Sequence, residues 1–182
     1  MYKLLLLAMY VIFIADMTRP VRFSPSFRRR AYSIINFLNT SEHIWTVRAT
    51  RHGNTTCQFD HVRHVNFRRV FFNRTLMEGR TRHSVRLIGE FFEDNKSKMY
   101  VTTLGFRPMF SAKLIFAVED NICGVMKLQS TTGSITHYEL QVRNSSLQII
   151  LYRRCWNHFS KVAEYSRELY YPQCQHLVRL GI

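Results

Sequence analysis

Short segments rich in β-branched and aromatic residues recur between residues 43 and 143, and turn residues such as glycine, asparagine and proline separate them. This pattern is typical of an all-β barrel or sandwich built from short antiparallel strands. We predict roughly eight strands, near residues 43–51, 56–64, 67–73, 83–93, 98–104, 112–118, 122–129 and 135–143. Eight strands that close on themselves leave an interior able to hold one small ligand.

Two helical segments flank these strands. Residues 31–38 (AYSIINFL) favour one or two helical turns, and residues 154–163 have apolar positions at helical spacing without turn residues. A chain of 182 residues with 46% apolar residues is long enough and apolar enough for one domain with a buried core. The sequence therefore predicts a single mainly β domain with two flanking helices.

The first residues have the pattern of a secretory signal peptide. Lys3 is followed by an apolar run over residues 4–14, and the chain turns polar at Asp16. A membrane span needs about 20 apolar residues, so this run is too short for one. We expect a signal peptide over residues 1–17, cleaved between residues 15 and 20, and a mature domain over residues 18–182 without a membrane span.

The asparagines and cysteines agree with secretion. Five of the nine asparagines lie in N-x-[ST] glycosylation sequons, namely Asn39, Asn54, Asn73, Asn95 and Asn144. The four cysteines, Cys57, Cys123, Cys155 and Cys174, are expected to form disulfides in an oxidising compartment. Their spacings contain no C-x-x-C pair, which excludes a zinc ribbon. Spacing alone leaves the three possible pairings open.

The last predicted strand alternates between an apolar and a polar face. The apolar face carries Tyr138, Leu140 and Val142, and the polar face carries His137, Glu139, Gln141 and Arg143. Periodicity alone favours placing the polar face in solvent.

Several short motifs follow one another in a distinctive order. The segment 37–45 (FLNTSEHIW) joins the first helix to the first strand, and residues 57–60 (CQFD) open the second. The segment 138–146 (YELQVRNSS) forms the last strand, and Cys155-x-x-x-Phe159 and Cys174 follow it. Between Phe37 and Cys174 the chain thus resembles the tick salivary histamine-binding lipocalins.

This resemblance implies an eight-stranded antiparallel lipocalin-type β-barrel with a C-terminal helix packed outside. It also implies the disulfides Cys57–Cys174 and Cys123–Cys155. The expected function is sequestration of a host inflammatory mediator, which evades host defence, and the family default ligand is histamine or another biogenic amine.

The amine-binding signature of this family is only partly present. Its pattern is Cys-Asp-aliphatic, then Glu-Leu-aromatic, then Cys, whereas this chain has Gly124 at the Asp position and Gln141 at the aromatic position. Glu139 keeps the Glu position. It either faces the cavity and pairs with a cationic ligand, or is neutralised by an arginine of the chain.

Aromatic residues provide further ligand candidates. The family brings aromatics from its middle strands to the pocket, and Tyr100, Phe106 and Phe110 lie in the corresponding part of this chain. The alternative is that they are core residues, as most barrel aromatics are. Trp45 on the first strand is expected to be a packing anchor that closes the barrel base.

The net charge of +14 favours anionic partners. Residues 1–86 carry 15 basic and 4 acidic residues, against 11 and 8 in residues 87–182. The densest basic stretch contains Arg63, Arg68, Arg69, Arg74, Arg80, Arg82 and Arg86. This charge favours a carboxylate-bearing lipid such as a leukotriene or fatty acid over an amine. It also permits a polyanion such as heparin on a basic face, whereas no nucleic-acid motif is present.

Catalytic signatures are absent from the sequence. His61-x-x-His64 lacks the Glu of a helical metal motif, and no G-x-S-x-G motif, phosphate loop or dinucleotide fingerprint occurs. We therefore expect a monomeric binding protein, with no catalytic residues, metal or cofactor.

Overall fold

A computed structural model of the chain describes residues 32–133 and 135–179. Its helices are α1 (Ile34–Leu38), α2 (Ile149–Val162) and α3 (Gln175–Arg179), with 3-10 turns at Asn144–Ser146 and Pro172–Cys174. The strands are β1 (His43–Ala49), β2 (Thr55–Val65), β3 (Arg69–Glu78), β4 (Thr81–Phe91), β5 (Lys98–Thr103), β6 (Pro108–Ala117), β7 (Cys123–Ser130), β8 (Thr136–Arg143) and β9 (Arg167–Glu168).

Strands β1 to β8 form a closed antiparallel barrel. Each strand from β2 to β7 pairs with the one that follows it, and β1 closes the sheet by pairing with both β8 and β2. The short β9 adds to the end of β1, where Ala49 pairs with Arg167. The predicted eight strands and two flanking helices are confirmed, as is the barrel implied by the resemblance.

The strand bounds differ most in the β3–β4 hairpin. The predicted strands ended at residue 73 and began again at residue 83, but the ladder runs unbroken until Glu78 pairs with Thr81. Gly79 makes this two-residue turn possible, because its φ of 60° lies in the left-handed region that favours glycine. The polar residues before the turn hid the strand from the hydrophobic pattern.

Helix α1 closes one end of the barrel. Ser33 caps it by accepting a hydrogen bond from the backbone N–H of Asn36 at 3.3 Å. Ile34 and Phe37 are fully buried, and they pack into the barrel core together with side chains such as Leu87 and Leu114. This end of the barrel is therefore filled by apolar side chains of the chain itself.

Helix α2 packs against the outside of the barrel. Its Tyr152 and Phe159 are buried against Leu140 and Val142 of β8, so one face of β8 is covered by the helix. Of the described residues, none belongs to a helix long and apolar enough to cross a membrane.

Two disulfides fasten the chain after the barrel to its wall. Cys123–Cys155 joins β7 to α2, and Cys57–Cys174 joins β2 to the C-terminal segment. The pairing implied by the resemblance is confirmed. Each bridge closes a long loop and contributes about 2–4 kcal/mol to stability.

Trp45 is fully buried, as expected of a packing anchor, but in a cluster separate from the one that contains α1. Its ring lies 4.8 Å from the ring of Phe59 and 4.9 Å from that of Tyr170, and its Nε1 donates to Asn144 at 2.9 Å. It therefore anchors the C-terminal segment and not the end closed by α1.

Candidate functional site

The polar face of β8 points into the barrel and not into solvent. Glu139 is fully buried and Gln141 is 2% exposed. The expectation of a solvent face was wrong because α2 covers the alternate residues Leu140 and Val142. With the apolar face of the strand under the helix, the polar side chains fill the interior.

These side chains belong to a buried polar layer that spans the barrel. Its members come from four strands, and they are Thr46, Gln58, Asp60, Arg74, Glu139 and Gln141. The residues two positions nearer to α1 on the same strand faces, such as Ile44 and Phe72, belong to the apolar core. The polar layer therefore lies directly above that core, on its side facing away from α1.

Arg74 and Asp60 form the central ion pair of the polar layer. Nε and Nη2 of Arg74 each donate to one oxygen of Asp60 at 2.7 Å. The second carboxylate is close, because Nη2 of Arg74 lies 3.7 Å from Oε2 of Glu139. A bidentate guanidinium–carboxylate contact is among the strongest hydrogen-bonded pairs in proteins. Arg74 is therefore bonded firmly to Asp60, and it also forms an ion pair with Glu139.

Both oxygens of Glu139 are already bonded by the protein. Oε1 accepts from Nε2 of Gln58 at 3.1 Å, and Oε2 accepts from Nε2 of Gln141 at 2.9 Å. On the far side from α1, Nε2 of His137 lies 3.6 Å from Oε1. Glu139 is thus neutralised within the chain, the second of its two predicted roles.

The ionisation of the layer follows from burial and from Arg74. Burial opposes the charge of Glu139, but the Arg74 guanidinium and His137 outweigh it and hold the pKa of this carboxyl well below its usual range. Burial also opposes the charge of Arg74, and Asp60 and Glu139 outweigh it and raise the Arg74 pKa. Glu139 and Arg74 are therefore charged at any physiological pH.

Some hydrogen-bond donors beside the polar layer have no partner among the described residues. Nη2 of Arg51 donates to Oε1 of Gln58, but its buried Nε has no partner among the described residues. Beside it, Nε of Arg167 donates to the Arg51 carbonyl at 3.2 Å, while Nη2 of Arg167 is also buried and unpaired. Arg51 and Arg167 at the rim of the layer thus have spare hydrogen-bond donors, while each oxygen of Asp60 and Glu139 already accepts one hydrogen bond from the protein.

Gly124 lies where the amine-binding family has an aspartate, and the space there is filled. A Cβ at this position would lie 2.9 Å from both Leu114 Cδ1 and Phe37 Cε2. Contacts this short require the neighbours to move. Apolar packing under α1 therefore leaves no room for a side chain at this position.

The aromatic candidates separate into two groups. Phe110 packs against the core, and its ring lies 5.2 Å from the guanidinium carbon of Arg74. Tyr100 alternates with the core residues Met99 and Val101, so it faces away from the interior. Phe106 is 72% exposed in the β5–β6 turn. The structure therefore places Phe110 beside Arg74 of the polar layer and Gly124 opposite Gln141, and leaves Tyr100 and Phe106 outside.

Sequence reasoning missed most of the polar layer. Arg74 was assigned to the basic stretch of the surface, but it is only 8% exposed. Its position in VFFNRTL was a usable signal, because Val70 and Phe72 on the same face are apolar. Thr46, Gln58, Asp60 and Arg51 gave no such signal, since their proximity depends on closure of the barrel.

The remaining arginines of that stretch are exposed and form a basic face, defined as Arg63, Arg68, Arg69, Arg80, Arg82 and Arg86. Arg63 and Arg86 line an outer hollow of about 470 Å³ next to the sequon residue Asn73. Arg69 is paired with Glu90 at 2.7 Å. No cluster of three metal-ligating side chains occurs among the described residues.

Comparisons with known proteins find similarity in structure alone. No protein-family model and no curated protein matches the chain. Japanin from Rhipicephalus appendiculatus, described as bound to cholesterol, matches with a TM-score of 0.52 at 10% identity over 71% of this chain and 91% of japanin.

Two further structures match comparably. The siderocalin Ex-FABP, described as having dual ligand specificities, gives a TM-score of 0.54 at 6% identity over 71% of this chain and 88% of the siderocalin. Apocrustacyanin C1 gives 0.58 at 6% identity over 81% and 85%. At such identities the likeness shows a shared fold and nothing finer.

Proposed function

The chain has the lipocalin fold, and from that premise we propose that it is a secreted monomeric carrier that removes a host inflammatory mediator by holding it in the barrel. The ligand class that best fits the site is an anionic amphipathic molecule, such as a fatty acid or leukotriene. The single observation that supports this choice is that each carboxylate oxygen of the polar layer already accepts a hydrogen bond from the protein, while the neighbouring Arg51 and Arg167 keep buried guanidinium donors without partners among the described residues.

An amine ligand fits the polar layer less well. A buried ammonium group needs a carboxylate that is free to accept its hydrogen bonds. Glu139 already accepts from Gln58 and Gln141, and Asp60 is held by Arg74. Breaking a buried hydrogen bond to a charged group costs about 1.5–3 kcal/mol, which is roughly a 10- to 100-fold loss in affinity.

An anionic head group fits the spare donors. The unpaired Nε of Arg51 lies in the barrel rim, next to a second guanidinium, that of Arg167. A carboxylate between them would satisfy donors that are buried without partners among the described residues, and Phe110 beside Arg74 offers an apolar contact. The net charge of +14 would attract such a ligand over distance.

Secretion is supported by three independent features of the chain. The first residues have a signal-peptide pattern, the four cysteines form two disulfides, and the sequons Asn39, Asn54 and Asn144 are exposed. The sequons Asn73 and Asn95 are half-buried, so we expect glycans chiefly at the three exposed positions.

Calorimetric titration of the mature protein tests the ligand class. We expect stoichiometric binding of a leukotriene or long-chain fatty acid, and no binding of histamine or serotonin at comparable concentration. Arg51→Gln should weaken binding of the anion by roughly 10-fold, because one charge-assisted hydrogen bond is lost. Arg82→Gln on the basic face is the matched control and should leave the affinity unchanged.

The opposite result would identify an amine carrier. If histamine binds with submicromolar affinity and Glu139→Gln abolishes that binding, Glu139 pairs with the ligand and the anionic proposal is wrong. Submicromolar histamine binding that survives Glu139→Gln would show that the amine does not pair with Glu139, and it would also overturn the anionic proposal.

A further inference from the structure

Three lysines form a continuous row across the outer wall of the barrel. Lys98 of β5 is directly opposite Lys113 of β6, and Lys113 is directly opposite Lys127 of β7. Tyr138 of β8 is the next residue in the same register. Adjacent strands lie about 4.8 Å apart, so the three side chains start within roughly 10 Å of one another.

The lysine row faces outward, because its sequence neighbours face inward. Met99, Ala112, Leu114, Met126 and Leu128 flank the three lysines, and all five belong to the barrel core. Lys98 and Lys113 are exposed and Lys127 is half-buried. The chain has only six lysines against 20 arginines, and three of the six lie in this row.

No carboxylate compensates the lysine row. Within residues 32–133 and 135–179, none of these three lysines forms an ion pair with an acidic side chain. The nearest recorded partner is the ring of Phe92, which lies 5.8 Å from Nζ of Lys98. Like charges directly opposite one another on a sheet are destabilising, so a bound anion would relieve a repulsion that the fold itself leaves in place.

The lysine row lines a groove of about 440 Å³ beside the end of α2. Its other lining residues include Ser111, Gln129 and Tyr138, which can donate hydrogen bonds, and the apolar Ile115 and Val162. Among the described residues that line the groove, none is acidic. A groove with cationic and neutral donors and no carboxylate is complementary to an extended polyanion.

We propose that the lysine row binds a sulfated polysaccharide chain along the outer wall of the barrel. The site is linear and multiply cationic, which matches a polymer with regularly repeated negative charge better than a single small anion. It lies on the outside of the sheet, separate from the polar layer, so it does not depend on the ligand held in the barrel. It is also separate from the arginines of the basic face, which lie chiefly on β2 to β4.

Heparin chromatography and a heparin-induced thermal shift test this site. The triple variant Lys98→Gln, Lys113→Gln, Lys127→Gln should elute from heparin at clearly lower salt and lose most of the heparin-induced rise in Tm. The matched control removes three exposed cations elsewhere through Lys96→Gln, Arg80→Gln and Arg82→Gln, and it should keep most of both effects. Sodium sulfate at equal ionic strength should not reproduce the shift.

An equal loss in both triple variants would show that heparin retention reflects net charge alone, and would overturn the proposal. A larger loss in the control would move the site to the basic face and overturn it equally. Circular dichroism of the lysine variant checks folding, and its titration with the barrel ligand should be unchanged. That titration separates failure of this site from failure of the carrier function.

Discussion

The polar layer inside the barrel and the lysine row on its wall are two charged clusters with opposite construction. Inside, Arg74 is bonded to Asp60 and lies beside Glu139, so positive and negative groups balance. Outside, Lys98, Lys113 and Lys127 adjoin one another with no carboxylate partner among the described residues. Burial makes an unpaired charge very costly, whereas water screens exposed like charges. The carboxylates of the polar layer are therefore paired within the protein, whereas the lysine row keeps its charge available for a partner.

The largest expected effect comes from removing the central cation of the polar layer. Arg74→Met leaves the carboxylates of Asp60 and Glu139 buried without their counter-ion. We expect a loss of about 3–5 kcal/mol in the free energy of unfolding, measured by urea denaturation. Arg82→Met on the exposed surface should change it by less than about 0.5 kcal/mol. If both variants lose the same free energy of unfolding, the buried arginine contributes no more to stability than the exposed one.

Placing an aspartate at position 124, as in the amine-binding signature, should also destabilise the barrel. Gly124→Asp places a Cβ 2.9 Å from Leu114 and Phe37, and overpacking of this kind costs about 1–3 kcal/mol. Gly133→Asp is the control, since no atom lies within 4 Å of the added Cβ. If Gly124→Asp is as stable as the parent protein and gains histamine affinity, the space under α1 can open for a ligand.

Half-buried histidines should make stability depend on pH while Glu139 does not. Burial and the neighbouring His61 lower the pKa of His43, and burial with Arg63 lowers the pKa of His61. The unfolded chain therefore takes up protons at higher pH than the folded protein, so stability is highest above about pH 6.5 and falls as the pH decreases below it. Glu139 stays charged in this window because its pKa is lowered.

Thermal unfolding measured between pH 7.5 and pH 5 checks the predicted loss of stability on acidification. The Tm should fall on acidification, and His43→Gln should reduce the fall, because one of the two facing histidines no longer titrates. Their rings lie 4.8 Å apart. A Tm that rises on acidification would contradict the assigned direction.

The smallest effect is expected at the centre of the lysine row. Lys113→Gln removes a charge that faces Lys98 on one side and Lys127 on the other, so we expect a gain of roughly 0.2–1 kcal/mol in stability at low salt. Added salt should abolish the gain, because screening weakens the repulsion. Lys96 lies outside the row, so Lys96→Gln should show no such gain. A loss of stability in Lys113→Gln would mean that the three lysines do not repel one another.

Several features of the fold were predictable because they depend on local sequence. Turn residues and β-rich segments located all eight barrel strands, and the family resemblance implied their closure and the pairing of Cys57 with Cys174. The β3–β4 hairpin was too short in the prediction because Arg74, Thr75 and Glu78 interrupt the apolar pattern towards the turn. Glu139 was correctly selected as a residue to consider, but its partners were not.

The sequence by itself determined the period of the strands, the positions of the turns and the excess of positive charge, because each depends on residues close together along the chain. Only the tertiary structure decided which face of β8 is buried, since α2 covers one side of that strand. Only barrel closure brought Arg74 beside a carboxylate 65 residues away, and only the register of β5, β6 and β7 aligned three lysines. Such contacts depend on register and curvature, which no local pattern records.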